Sequence, residues 1–185
     1  MAEWCELKKR FGKTDWLDLG LSQLAGEGLA GLTVEALCVR AERTRGSFYH
    51  HFKDHDAFVA ALMQAWKQRH TLDVAEATMA EEPDARTAKL SSMANRLDHD
   101  LERAVRQFAQ SNRVAAGVVR EVDELRTGFV ADLYEARGHE PDLARDIARI
   151  EYAAYIGSQI VWPEMTAEER MALDRRFASL VTLLD

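Results

Sequence analysis

Residues 32–58, LTVEALCVRAERTRGSFYHHFKDHDAF, read as three helices separated by two tight breaks. Thr33 is placed to cap the first, its hydroxyl accepting from backbone N–H groups one turn in. Val34, Leu37 and Ala41 follow at helical spacing and predict one buried face. Glu42-Arg43 falls at the turn, and Thr44 caps the next helix. That helix, Thr44 to Phe52, is too short to persist alone in water and must be held by its neighbours. Phe48 and Phe52 form an i, i+4 apolar pair that pins it from beneath. Arg45, Gly46, Ser47, Tyr49 and His50 are then left outward, with small residues in the first turn where the backbone can approach phosphates or base edges. Such a helix suits a DNA major groove. Asp54 reads as the N-cap of a third, longer helix, with Asp56 in its first turn where an anion favours the dipole.

Leu32-Thr33-Val34-Glu35-Ala36-Leu37 followed by Arg43-Thr44-Arg45-Gly46-Ser47-Phe48-Tyr49-His50-His51-Phe52-Lys53 resembles the N-terminal DNA-binding domain of TetR-family transcriptional regulators. Trp16 to Ala25, with Gly26-Glu27-Gly28-Leu29 after it, resembles that family's first helix and its glycine-containing exit. The likeness covers about residues 13–66. It implies that Thr44–His51 enters the major groove, and that Tyr49 and a basic residue at the position of His55 contact phosphates. The DNA-facing set is then Thr33, Arg43, Thr44, Arg45, Gly46, Ser47, Tyr49, His50, Lys53 and His55. Three positions depart from the family pattern. Glu42 stands where a turn glycine is usual, Cys38 replaces an alanine, and His55 replaces a lysine. His55 makes that phosphate contact weaker and pH-dependent; Lys53 is positioned to share it.

The net charge of −7 argues at first against a polyanionic ligand. Residues 1–52, however, carry seven Lys/Arg and seven Asp/Glu, so the whole excess lies in residues 53–185, with seventeen against twenty-four. An acidic body repelled by phosphates orients a neutral head toward the duplex. Lys8, Lys9, Arg10 and Lys13 offer additional positive charge ahead of the first helix. Two cysteines, Cys5 and Cys38, fit a reducing compartment. No apolar run reaches membrane-spanning length, and MAEWCELKKR is not a signal peptide, so a cytoplasmic protein without a membrane partner is expected.

Helix formers dominate, only three prolines occur and no strand alternation is seen, so the chain reads as all-α with about nine helices. Residues 1–53 are expected to form the DNA-binding domain, with the helix-turn-helix at about 33–52. Residues 54–185 form a larger helical domain for regulation and dimerisation. One helix runs from about Asp54 to Thr78, and Pro83 opens the next. Val114 to Leu133 form a long stripe up to Gly138. Thr166 with Glu169 makes a capping box for the last helix. The helix near 142–162 is apolar on several sides and needs partners there. Ile147, Ile150, Ala154 and Gly157, with Phe177, Leu180 and Leu184 of the final helix, are the expected homodimer surface. The resemblance implies the same arrangement and a small-molecule site in the body. Met63, Trp66, Met93, Phe108, Phe129, Tyr152 and Tyr155 are its candidate lining, suited to an apolar or aromatic effector.

An enzyme finds no support: no Ser-His-acid set or phosphate-binding loop is legible. No cofactor is implied. Of His50, His51 and His55 only the last two share a helix face, and no carboxylate pattern completes a metal site. His70, His99 and His139 read as surface residues. The expectation is a ligand-responsive regulator, a repressor, that binds a palindromic double-stranded DNA site as a homodimer. The alternative is a helical sensor or interaction protein of the same fold that has lost DNA binding, motivated by the neutral head, Glu42 and His55.

Overall fold

The structure, a computed structural model, describes residues 11–183 and is all helical over them. α1 (Lys13–Glu27) starts where the Asp15 carboxylate accepts from the Gly12 N–H at 2.7 Å. It ends at Gly28, whose φ of +62° suits a residue without a side chain. A 3₁₀ turn (Gly28–Leu32) leads to α2 (Val34–Ala41) and α3 (Arg45–Tyr49). α4 (His55–Lys67) passes through a π-helical turn (Gln68–Leu72) into α5 (Asp73–Met79). A 3₁₀ turn at Pro83–Ala85 precedes α6 (Arg86–Ala94). α7 (His99–Ala109), α8 (Arg113–Glu135), α9 (Pro141–Val161) and α10 (Ala167–Val181) complete the body. Counting α4 to α5 as one continuous rod gives nine helices among the described residues.

The expected caps form. Thr33 Oγ1 accepts from Ala36 N–H, Thr44 Oγ1 from Ser47 N–H, and Asp54 Oδ1 from Ala57 N–H, at 3.2, 3.2 and 2.7 Å. Thr166 and Glu169 cap α10 reciprocally. The second helix of the motif is shorter than Thr44–Phe52: regular α-helix ends at Tyr49, and the chain continues as a turn to Phe52. The hydrogen bond from Phe52 N–H to the Phe48 carbonyl at 3.1 Å nevertheless keeps both phenylalanines on the inner side.

One apolar cluster runs without interruption from α1 through α4 to α7 and α8, taking in Trp16, Leu37, Phe48, Phe58, Leu62, Trp66, Val105 and Val122. α4 is therefore packed against both the helix-turn-helix and the body. Gly20 makes this possible on the α1 side. A Cβ there would lie 2.7 Å from the Phe58 ring and 2.8 Å from Leu62, so only glycine lets the two helices approach so closely.

Several residues lie elsewhere than expected. Met63, Trp66 and Phe108 are filled core positions of this cluster. Ile147 packs inside the chain against Tyr134, Ala144 and Val181, because the ends of α8 and α10 cover α9 at that level. His70, His99 and His139 are half-buried rather than surface residues. Leu184, Cys5, Lys8, Lys9 and Arg10 lie outside the described residues. Among the described residues no helix is long and apolar enough to cross a membrane.

Candidate nucleic-acid interface and the cavity of the body

α3 rests on an aromatic pedestal. Phe48 is fully buried and Phe52 nearly so. Their rings sit 5.2 Å apart, with Phe58 at 5.2 and 5.1 Å and Trp16 edge-on to Phe48 at 5.3 Å. Aromatic pairs at such separations add to area burial by about 0.5–1.5 kcal/mol each. The pedestal supplies what a five-residue helix lacks by itself. It also fixes which side of α3 faces out: Thr44, Arg45, Gly46, Tyr49 and His50 are exposed, as are Thr33 at the start of α2 and Lys53 after the turn. Ser47 is half-buried and donates its N–H to the Thr44 cap. The Tyr49 ring leans edge-on against Phe48 at 5.4 Å, which leaves half the residue exposed while fixing its direction.

Besides the capping Thr33 and Thr44, three of the candidate residues already have side-chain partners within the chain. The Arg45 guanidinium pairs with the Glu35 carboxylate of α2 across the turn. Both side chains are well exposed, and such pairs contribute only about 0–1 kcal/mol, so phosphate or guanine can replace Glu35 at small cost. The half-buried Arg43 donates to the Glu42 carbonyl at 3.0 Å and lies over the Phe11 ring. The His55 Nε2 donates to the Leu32 carbonyl at 2.9 Å, tying the start of α4 to the loop before α2. A carbonyl can only accept, so this bond fixes the proton on Nε2. Glu35 was the residue that sequence reasoning missed. Its position in the first turn of α2 gave no sign of a partner ten residues on.

The turn between α2 and α3 turns on Glu42, at φ 52° and ψ 46°, the only non-glycine residue with positive φ among those described. Its N–H reaches the Val39 carbonyl at 3.2 Å, and the Arg43 N–H reaches Cys38 at 3.0 Å, closing α2. Burial pushes the Cys38 thiol above its ordinary value.

A cavity of about 520 Å³ opens between α5, α6, α8, α9 and α10. Of the expected lining, Phe129, Tyr152 and Tyr155 face it. Met93 is half-buried outside it, and Met63, Trp66 and Phe108 are taken up by the core. The difference arises at the π turn. His70, Thr71 and Leu72, not the apolar stripe of α4, reach the cavity wall. Arg126 of α8 holds that turn, donating to Thr71 Oγ1 at 3.0 Å and to the His70 carbonyl at 3.1 Å. Arg126 also donates to both oxygens of Glu102, itself 2 % exposed, at 3.2 Å. Arg106 links Glu102 to Asp123, at 3.0 and 2.6 Å, and Asp123 accepts from the Tyr152 hydroxyl at 2.6 Å. Burial pushes the Tyr155 phenol up to about 12, and it donates to the Ala94 carbonyl.

On the outer side of α9 and α10, Ile150, Ala154, Ile160, Leu173 and Leu180 are exposed, and Gly157 and Phe177 are half-buried.

Residues 17–62 match the family model described as bacterial regulatory proteins, tetR family. The fold is similar to that of a transcriptional regulator from Rhodococcus sp. Rha1, with a TM-score of 0.76, 19% identity, and 92% of this chain and 96% of that one covered. A provisional TetR-family transcriptional regulator from Rhodococcus sp. matches with a TM-score of 0.71 and 17% identity, over 91% of this chain and 97% of that one. No curated protein is detectably similar in sequence.

Proposed function

We propose that this chain, which belongs to the tetR family of bacterial regulatory proteins through its N-terminal domain, is a ligand-responsive repressor that reads a palindromic operator as a homodimer. The observation that carries the proposal is α3 itself. It is a polar helix too short to stand alone, seated on four buried aromatic rings with Arg45, Gly46, Tyr49 and His50 outward. In this reading residues 1–53 are the reading head and residues 54–185 the regulatory body. Arg45 leaves Glu35 for a base edge, Tyr49 donates to a phosphate, and Thr33, Thr44, Ser47 and Lys53 track the backbone.

One head reads only a few base pairs, so selectivity needs two. The exposed apolar residues of α9 and α10 support pairing by an isologous face built from Ile150, Ala154, Gly157 and Leu180, with Phe177 beside it packed partly against the inner cluster around Ile147. α4 runs from the head directly to the cavity wall at the π turn. A molecule in the cavity that prefers one position of that rod changes the spacing of the two heads, and it can do so only through that preference.

Selection from a pool of palindromic duplexes, followed by titration at several salt concentrations, tests the proposal. Saturable, sequence-selective binding that weakens with salt is expected. Tyr49→Phe is expected to weaken all sequences alike, while Arg45→Ala costs about 1–3 kcal/mol and relaxes base preference at one position of each half-site. If Arg45→Ala leaves both affinity and selectivity intact, α3 is not the reader. Absence of any selected sequence favours the reading as a sensor that has lost DNA binding, which the acidic Glu35 and Glu42 beside α3 would explain.

A further inference from the structure

The cavity is large enough for a drug-sized molecule, and its body is apolar, formed by Leu72, Val74, Leu90, Leu125, Phe129 and Val130. Its charged groups are one-sided. Five carboxylates line it, from Glu121, Glu124, Asp132, Glu151 and Asp174, against the single guanidinium of Arg126. That guanidinium is already engaged by Glu102, which sits behind the wall. Lys67 engages Glu121 at 2.5 Å. The other four carboxylates have no cation within ion-pair distance among the described residues.

Two of these, Glu151 of α9 and Asp174 of α10, are held in place by neutral donors. The Tyr134 hydroxyl donates to Glu151 Oε2 at 2.7 Å. Ser91 Oγ and Asn95 Nδ2 donate to Asp174 Oδ2 at 2.5 and 2.6 Å. Among the described residues no donor reaches Glu151 Oε1 or Asp174 Oδ1. Burial raises the Glu151 carboxyl above its usual range, and the charge on Asp174 adds to the rise. Arg137 offsets part of this from a distance. Glu151 and Asp174 are both half-buried, and a carboxylate partly withdrawn from water with no counter-ion is stabilised by a cation placed beside it. Tyr152 and Tyr155 stack with ring centroids 6.3 Å apart on the same wall, and aromatic faces favour cations too.

We infer that the cavity takes an apolar molecule bearing a positive charge, such as a lipophilic amine or quaternary cation, with the charge set against Glu151 and Asp174. This rests on the reading of the cavity as the effector site. It disfavours the opposite class: a fatty acid, an acyl phosphate or another amphipathic anion would meet four carboxylates without an ion-pair partner and, among the described residues, no unengaged guanidinium or ammonium.

Tetraphenylphosphonium and tetraphenylborate have one shape and opposite charges. Calorimetric titration of the full chain with each is the test. The phosphonium is expected to bind at least tenfold more tightly than the borate. The double variant Glu151→Gln/Asp174→Asn is expected to lose at least tenfold in phosphonium affinity while gaining in borate affinity. If that variant does not fold, Glu124→Gln, an exposed lining position, replaces it, with a smaller loss of the same sign. Equal or tighter borate binding, binding of neither ion, or an unchanged phosphonium affinity in the folded double variant overturns the inference. Operator selection is measured in parallel. A chain that prefers the phosphonium but selects no DNA sinks the regulator reading alone. A chain that selects a palindrome but prefers the borate sinks this inference alone.

Discussion

The helix-turn-helix and the interior of the body are built from opposite materials. Beneath α3 the buried side chains are Trp16, Phe48, Phe52 and Phe58, and the charges stay outside. Between α7 and α8 the interior holds Glu102, with Arg106, Asp123, Arg126 and Tyr152 around it. An apolar pedestal is non-directional and tolerates any approach that removes water. A buried charge network stabilises the fold only when every partner is in place, and it penalises any arrangement that separates them. The head is thus anchored as a rigid unit. The body ties the π turn down by directional bonds, because Arg126 binds the His70 carbonyl, Thr71 and Glu102 together.

The largest effects should come from the two centres themselves. Phe48→Ala is expected to cost about 3–5 kcal/mol in denaturant unfolding and to abolish DNA binding, with no second substitution restoring it. Glu102→Ala should cost a comparable 3–5 kcal/mol because it strands a buried guanidinium. Here a second change does help: Glu102→Leu combined with Arg126→Met should recover part of the loss, since an apolar pair needs no partner, while the bonds Arg126 gives to Thr71 and the His70 carbonyl stay lost. If the double variant is no more stable than the single one, the contrast between the two regions fails.

A smaller effect tests the turn. Left-handed backbone costs a non-glycine residue about 1–2 kcal/mol, partly offset by the extra freedom glycine gains when unfolded. Glu42→Gly should therefore raise stability by about 0.5–1 kcal/mol, measured by thermal or chemical unfolding. Removing that negative charge should also strengthen DNA binding. A loss of stability would mean that the Glu42 side chain makes a contribution larger than its backbone strain.

The smallest is a pH dependence confined to the body. Burial holds the imidazoles of His70 and His99 below their ordinary value of 6.5. As pH falls through 6.5 the unfolded chain gains protons that the folded chain resists, so stability falls with pH from that point down to the folded values. Glu151, raised by burial, acts in the opposite direction at lower pH. The His70→Gln/His99→Gln variant should flatten the fall between about pH 7 and pH 5.5, the window set by the ordinary imidazole value. An unchanged slope would place the dependence elsewhere.

The head was legible because each of its signals is local. Thr33, Thr44 and Asp54 each cap a helix three residues away, and Phe48 and Phe52 are one turn apart. Glu42 stood out as a side chain at a turn that glycine usually makes, and its positive φ follows. The cavity was only partly legible. Phe129, Tyr152 and Tyr155 were found by residue type, but type could not distinguish them from Met63, Trp66 and Phe108, which are equally apolar and fill the core. The carboxylates gave no signal at all, since Glu151 and Asp174 are ordinary members of charged helices until α9 is folded against α8 and α10 against α6.

Sequence alone determined most helices, their caps and the Phe48–Phe52 pair beneath α3, because capping and 3.6-residue periodicity act over one or two turns and need no distant partner. Tertiary structure alone decided the rest. It placed Glu35 on Arg45, Arg126 on the π turn, Ile147 in the core and two acids across a cavity. Those outcomes depend on which surfaces meet after residues 10 to 83 positions apart are brought together, and helical periodicity carries no information about that choice.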